Sequence, residues 1–329
     1  MVANLNTIII SRTDGIGDVV LTLPICGIIK KRYPECKILF LGRTYTEPVI
    51  QCCEHVDGFL NADELSVEEL KKIHADAIIH VFPKREIARM AKEAGIKIRI
   101  GTTNRIFHWG TVNKMVRLSR KNSSLHEAQL NCKLLIPLGI NILPNLQELA
   151  EYMGFTRLPS LNNSWHSVIE KDKIKVILHP KSNKNGREWS LDNYTKLIKL
   201  MPPEKFQIFV SGSDAEHEIL KQWTSVLPPH VVDISGKLSL PEFISFISRA
   251  DFLIAAGTGP LHLAAAIGIG AIGIFPPIKP INPSRWQPIG RRAEFLCIYK
   301  ECSACRQIPQ NCLCMDEISA QQVFSLINK

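Results

Sequence analysis

The chain has 329 residues, 45% of them hydrophobic and 22% charged, with a formal net charge of +9. That length allows two domains of ordinary size, and the composition is that of a globular chain rather than a disordered or fibrous one. No apolar run is long enough to cross a bilayer. The first residues lack the basic and apolar regions of a secretory signal, so a cytoplasmic protein is expected.

Strand and helix signals alternate from the start. "TIIIS" is a predicted strand and "DVVLTLPICGIIKKRY" has helical periodicity. Then follow "KILFLG" (strand), "TEPVIQCC" and "SVEELKKI" (helices), "DAIIHVF" (strand), "REIARMAKEAG" (helix) and "IKIRIG" (strand). Short apolar runs separated by amphipathic segments argue for βαβ units and a parallel sheet. Next comes a basic block: no acidic residue lies between Glu93 and Glu127, while Lys97, Arg99, Arg105, Lys114, Arg117, Arg120 and Lys121 do. Such a block is either a solvated face or a surface for an anionic partner. "HEAQLNCKLLIPLG" reads as a helix ending at Gly139, and "FTRLPSLNNSWHS", with two prolines and little periodicity, as a linker.

The alternation then restarts with "IKVILHP", "LDNYTKLIKLM", "FQIFVSG", "AEHEILKQWTSVL", "VVDIS", "LPEFISFISRA", "DFLIAA", "PLHLAAAIG" and "AIGIF". The expectation is α/β, with two Rossmann-like domains over residues 1–160 and 161–329. Open parallel sheets bind ligands beyond the carboxyl ends of their strands, and two facing sheets would make an interdomain cleft.

Four loops carry candidate chemistry. In "GTGPLHLAAA", Gly257, Thr258 and Gly259 follow a strand and Pro260 opens a helix. Helix N-termini attract phosphate, and Thr258 and His262 could add contacts; a plain capped turn is the structural alternative. In "HPKSNKNGREWS", Ser182, Lys184 and Arg187 could converge on phosphate oxygens, with Ser190 a candidate N-cap; alone, an ordinary polar loop would be read. In "SGSDAEHEI", Glu216 could accept from ribose hydroxyls or simply favour a helix start. In "RTDGIGDVVLTLP", Asp18 stands where a phosphate would approach a nucleotide-binding turn. A carboxylate repels a diphosphate, so this loop suits a general base, or else a helix-start aspartate; Gly15 and Gly17 leave room for a substrate.

Ten cysteines are present, most in apolar or mixed contexts that suit reduced thiols. Cys302, Cys305, Cys312 and Cys314 form C-x2-C-x6-C-x-C, which four thiolates could close around zinc, although reduced packing of a terminal loop is the simpler reading. Neither D-x-D nor H-E-x-x-H occurs, so no metal is expected in the reaction.

Together "RTDGIGDVVLTLP", "HPKSNKNGREWS", "GTGPLHLAAAIG" with "IFPPIKP", and "CSACRQIPQNCLCMDEIS" resemble, in that order, glycosyltransferase family 9, the lipopolysaccharide heptosyltransferases. The resemblance implies a GT-B fold, with acceptor bound by the N-terminal domain and nucleotide-sugar by the C-terminal one. It implies transfer of heptose from ADP-heptose to the lipopolysaccharide inner core, inverting and metal-independent, with no cofactor. By that resemblance Asp18 is the base. Ser182, Arg187, Thr258, Gly259 and His262 then bind the donor, with Arg187 in the place of the family's lysine, and Lys184 and Glu216 join them from the loop reading above.

The chain departs from the family pattern at Gly257, where members often carry aspartate, and at Lys181, where a glycine is common. An inner core bears carboxylates and phosphates. The basic block, with Arg117, Arg120 and Lys121 at its end, is therefore expected to dock the acceptor and hold the enzyme at the cytoplasmic face of the inner membrane. The alternatives are a GT-B transferase for another nucleotide-sugar, a nucleotide-sugar epimerase, or a non-enzymatic basic protein binding nucleic acid, for which no recognised motif is present.

Overall fold

A computed structural model describes residues 5–120, 123–182, 187–299 and 314–328. The chain divides into two compact units, Met1–Arg157 and Leu158–Lys329. Among the described residues no helix is long and apolar enough to cross a membrane.

In the first unit the strands are β1 (Thr7–Ser11), β2 (Lys37–Gly42), β3 (Gly58–Asn61), β4 (Ala77–His80), β5 (Ile98–Thr102) and β6 (Lys114–Val116). They form one sheet in the order β3-β2-β1-β4-β5-β6, and every pairing is parallel. Helices cover both faces of such a sheet, which is why its middle strands read as continuous apolar runs. Ile8, Ile9 and Ile10 of β1 are all fully buried.

The second unit repeats the plan with β7 (Ile174–His179), β8 (Phe206–Val210), β9 (Val231–Asp233), β10 (Phe252–Ala256), β11 (Gly270–Ile274) and β12 (Ala293–Leu296). Its order is β12-β11-β10-β7-β8-β9, again all parallel. Counting strands within each unit, the two topologies are identical. The order reverses between β1 and β4 in one sheet and between β7 and β10 in the other. In open α/β sheets ligands bind at this switch point, beyond the carboxyl ends of the two strands. The four loops singled out above leave β1, β7, β8 and β10, so three of them leave a switch-point strand.

Three differences from the sequence-based expectation have simple causes. The strands β3, β6 and β12 are sheet edges of three or four residues, too short to show a period. The first predicted helix is two: Ile16–Val20 and Leu23–Arg32, the second carrying Pro24 in its first turn. The break is held by the Asn131 amide, which donates to the Leu21 carbonyl at 3.2 Å and to Thr22 Oγ1 at 3.3 Å. The helix expected up to Gly139 runs only Glu127–Lys133, and a short 3-10 turn, Ile136–Leu138, carries the chain to Gly139 at φ 77°. The core of the second unit gathers Trp189, Tyr194 and Phe206 with Cys314, Met315, Ile318 and Val323, so the chain after the cysteine cluster packs back into this unit.

Candidate active site

At the first switch point β1 ends at Ser11 and the buried Arg12 follows. Its guanidinium meets three carboxylates. Nε donates to Asp14 Oδ1 at 2.6 Å, Nη1 to Glu127 Oε1 at 3.2 Å, and Nη2 to Asp18 Oδ1. Glu127 Oε1 also accepts from Arg120 Nε at 2.9 Å, and Arg120 Nη2 donates to the Val81 carbonyl just past β4 at 3.1 Å. One charge chain therefore links Asp18, Arg12, Glu127 and Arg120 across the switch point. Burial opposes the charge on Arg12, but Asp14, Asp18 and Glu127 outweigh it and raise its pKa further. Burial pushes the Asp14 carboxyl up to about 6, against the pull of Arg12.

Asp18 itself lies in the first turn of helix Ile16–Val20, whose N-cap is Gly15 in extended backbone. Its side chain is 24% exposed, so one face of the carboxylate is held and the other is open. A Cβ on Gly15 would stand 3.3 Å from Asp18 Oδ2, so a side chain there would crowd that open face. Three carboxylates against two guanidiniums make a poor seat for a diphosphate and a good one for a proton acceptor. Alongside, a cavity of about 190 Å³ is lined by Pro83, Thr102, Asn104, Arg105, Ser119 and Arg120. Of the residues expected to hold the acceptor, Arg120 thus lines a cavity, Arg117 is exposed on the surface, and Lys121 lies outside the described residues.

At the second switch point the loop after β7 is organised by Glu188, which the motif reading did not single out. Its carboxylate accepts from Lys181 Nζ at 2.5 Å, from the Ser182 N–H at 3.0 Å and from Ser182 Oγ at 3.2 Å. Ser182 is buried and Arg187 half-buried, whereas Lys184 lies outside the described residues. Lys181 is thus ion-paired with Glu188.

Trp189 is buried, donates from Nε1 to the Ile318 carbonyl at 2.9 Å, and packs edge-on against Tyr194. Ser190 caps helix Leu191–Leu200, as expected, and its N–H donates to Asp316 Oδ1 at 2.9 Å. The "REWS" stretch is therefore where the C-terminal segment docks. Cys314 is buried in that contact region, while Cys302, Cys305 and Cys312 lie outside the described residues.

The turn after β10 carries Thr258 as the extended N-cap of helix Gly259–Ile267. The Thr258 N–H donates to the Ala256 carbonyl at 2.7 Å. The Thr258 hydroxyl, by contrast, is buried with no hydrogen-bond partner among the described residues. His262 is buried one turn into the helix.

Gly257 has a steric cause: a Cβ there would come within 2.7 Å of the Phe275 ring. A side chain at this position would require the Phe275 ring to shift.

Past the neighbouring strand β8, Glu216 Oε2 accepts from the Ser213 N–H at 2.8 Å and Oγ at 3.0 Å, a capping box for helix Asp214–Thr224. The same oxygen stands 4.0 Å from His179 Nε2, and burial lowers the pKa of His179. The helix-start duty foreseen for Glu216 is thus in place. Arg12, Glu127 and Glu188 escaped notice because the sequence shows only isolated charges. The one available signal was Arg12, a cation set directly against an apolar strand.

Comparison with known proteins settles the family. The model of glycosyltransferase family 9 (heptosyltransferase) matches residues 66–315, more than half of the chain. The chain belongs to glycosyltransferase family 9. The lipopolysaccharide core heptosyltransferase OpsX of Haemophilus influenzae is 22% identical over 89% of this chain and 84% of its own. A family 9 glycosyl transferase of Veillonella parvula superposes with a TM-score of 0.81 at 18% identity, covering 100% of this chain and 98% of that one. The ADP-heptose lipopolysaccharide heptosyltransferase II of Escherichia coli gives a TM-score of 0.75 at 15% identity, covering 98% of each. This family 9 enzyme is a glycosyltransferase with the GT-B class of fold, as its motifs implied.

Proposed function

We propose that the enzyme transfers a heptose from ADP-heptose to an inner-core sugar of lipopolysaccharide, in one displacement with inversion and without a metal. The observation that carries this reading is the contrast between the two switch points. One presents a carboxylate, Asp18, held on one side by a buried guanidinium. The other presents a buried hydroxyl, Thr258, unpartnered among the described residues, at the positive end of a nine-residue helix.

Asp18 takes the proton of the acceptor hydroxyl as that oxygen attacks the anomeric carbon, a contribution of roughly 10²–10⁴-fold. Arg12 keeps the carboxylate turned toward the hydroxyl. The departing diphosphate gains charge as the bond breaks. Thr258 Oγ1, the Gly259 N–H, Ser182, Lys184 and Arg187 stabilise it by fixed dipoles and cations. His262 and Glu216 contact the donor's sugar hydroxyls. On the acceptor side, Arg120 and Arg105 in the 190 Å³ cavity take a phosphate or carboxylate of the inner core, with Arg117 and Lys121 at its approach, and the enzyme works at the cytoplasmic face of the inner membrane.

Incubation with ADP-heptose and truncated lipopolysaccharides should release ADP. Asp18→Asn should lower kcat by at least a hundredfold with ADP affinity unchanged; equal loss of both would remove Asp18 from the role of base. A second reading, in which the donor is another nucleotide-sugar, is favoured by Gly257, which stands where the family often carries aspartate. A screen of nucleotide-sugars for nucleotide release separates the two.

A further inference from the structure

The segment from Asn104 to Thr111 bridges β5 and β6 and contains a single helical turn, His108–Thr111. It is fastened from beneath. His108 is buried, with Nδ1 2.7 Å from the Thr102 carbonyl. Lys92 Nζ donates to the Gly110 carbonyl at 2.8 Å, and Arg99 Nε to the Thr111 carbonyl at 2.7 Å. The Asn104 amide is tied to the Leu118 carbonyl. On this braced knuckle Ile106 is 92% exposed and Trp109 is 69% exposed. The Trp109 N–H donates to the Ile106 carbonyl at 3.1 Å, and residues three apart on a helical turn share a face.

A single exposed apolar side chain is ordinary, but a large aliphatic and an indole side by side on a rigid turn are not. Their surroundings are cationic. Arg105 precedes Ile106, Lys92 touches the turn, and the exposed Lys97 and Lys114 flank Asn113, which binds the Lys97 carbonyl. Glu93, the nearest acidic residue before the block, is paired with Arg89. Tryptophan and an aliphatic side chain exposed on one turn of a basic segment are the composition that settles into the headgroup layer of an anionic bilayer.

We propose that this knuckle is a lipid-docking element: Ile106 and Trp109 insert into the interface of an anionic membrane while Lys97 and Lys114 hold its headgroups. This deepens the proposed function, because it rests on an acceptor carried by a membrane.

The full chain is sedimented with vesicles of equal parts phosphatidylcholine and phosphatidylglycerol, and with phosphatidylcholine alone. The wild type should partition onto the anionic vesicles. Ile106→Ser with Trp109→Ser should weaken that partition about tenfold or more, from lost apolar burial. Lys97→Gln and Lys114→Gln should each weaken it about fivefold. None of these side chains is buried, so the variants should keep the wild-type circular dichroism.

On a delipidated, water-soluble acceptor the Ser/Ser variant should turn over as the wild type does. Anionic-vesicle binding that ignores the Ser/Ser change would overturn the proposal, as would wild-type protein that binds neither vesicle. So would a wild-type dimer that the Ser/Ser change dissociates, which would make the knuckle a contact with a second copy. Vesicle binding with no transfer to the soluble acceptor would instead strike the transferase reading and leave the knuckle standing.

Discussion

A guanidinium surrounded by three carboxylates acts as a brace, since each partner fixes the plane in which the others bind. Arg12 does this for Asp14, Asp18 and Glu127. Removing it leaves buried charge without compensation. Arg12→Met should therefore cost about 3–5 kcal/mol in denaturant unfolding. Arg12→Lys should recover part of that loss, yet still lower kcat, because an ammonium lacks the planar fork that reaches all three partners.

His80 makes a different point. It sits at the end of β4, fully buried, paired in register with Ser11, and neither ring nitrogen has a hydrogen-bond partner among the described residues. Burial, with His108 and Arg99 adding to it, lowers its pKa to about 3. The folded state thus excludes a proton that the unfolded chain takes up near 6.5. The stability contributed is present above pH 6.5 and is lost as pH falls from there toward 3. His80→Phe should flatten this acid decline in a series of unfolding midpoints, and an unchanged slope would show that His80 is not its source. None of this was legible in the sequence. The expected Asp18 was visible through its glycine neighbours, but Arg12, Glu127 and His80 acquire their meaning only when distant strands bring them together.

At the scale of elements, the turn between β10 and helix Gly259–Ile267 joins a steric constraint to an unmet donor. The Thr258 hydroxyl, unpartnered among the described residues, costs the ligand-free protein about 1–3 kcal/mol. Thr258→Val should leave stability unchanged or raise it, and should weaken ADP binding roughly tenfold by calorimetry. A destabilised variant with unaltered affinity would make the hydroxyl structural. Gly257→Asp should destabilise by about 1–3 kcal/mol through overpacking on Phe275, and Phe275→Ala in the same chain should relieve part of it. The turn itself was readable from Gly-Thr-Gly-Pro after an apolar run. The bond from the Thr258 N–H to the Ala256 carbonyl was not, because it belongs to a local turn that no side chain encodes. In the same way Ser190 was recognisable as a cap, while the role of Trp189 as the dock for Ile318 depends on a contact across 129 positions.

For the molecule as a whole, the two units repeat one strand order, and each has its own switch point. Middle strands announced themselves as apolar runs; the edges β3, β6 and β12 did not, being short and partly exposed. Ligand loops follow the switch points because only there do adjacent strand ends diverge and leave room. The central claim is that the second unit holds the nucleotide diphosphate while the first presents a braced carboxylate to the acceptor. Amide hydrogen exchange with and without ADP tests it most directly. Slowed exchange confined to peptides covering residues 179–190 and 256–262 is expected, with residues 12–18 unaffected. Slowed exchange at residues 12–18, with the 256–262 turn unchanged, would contradict it.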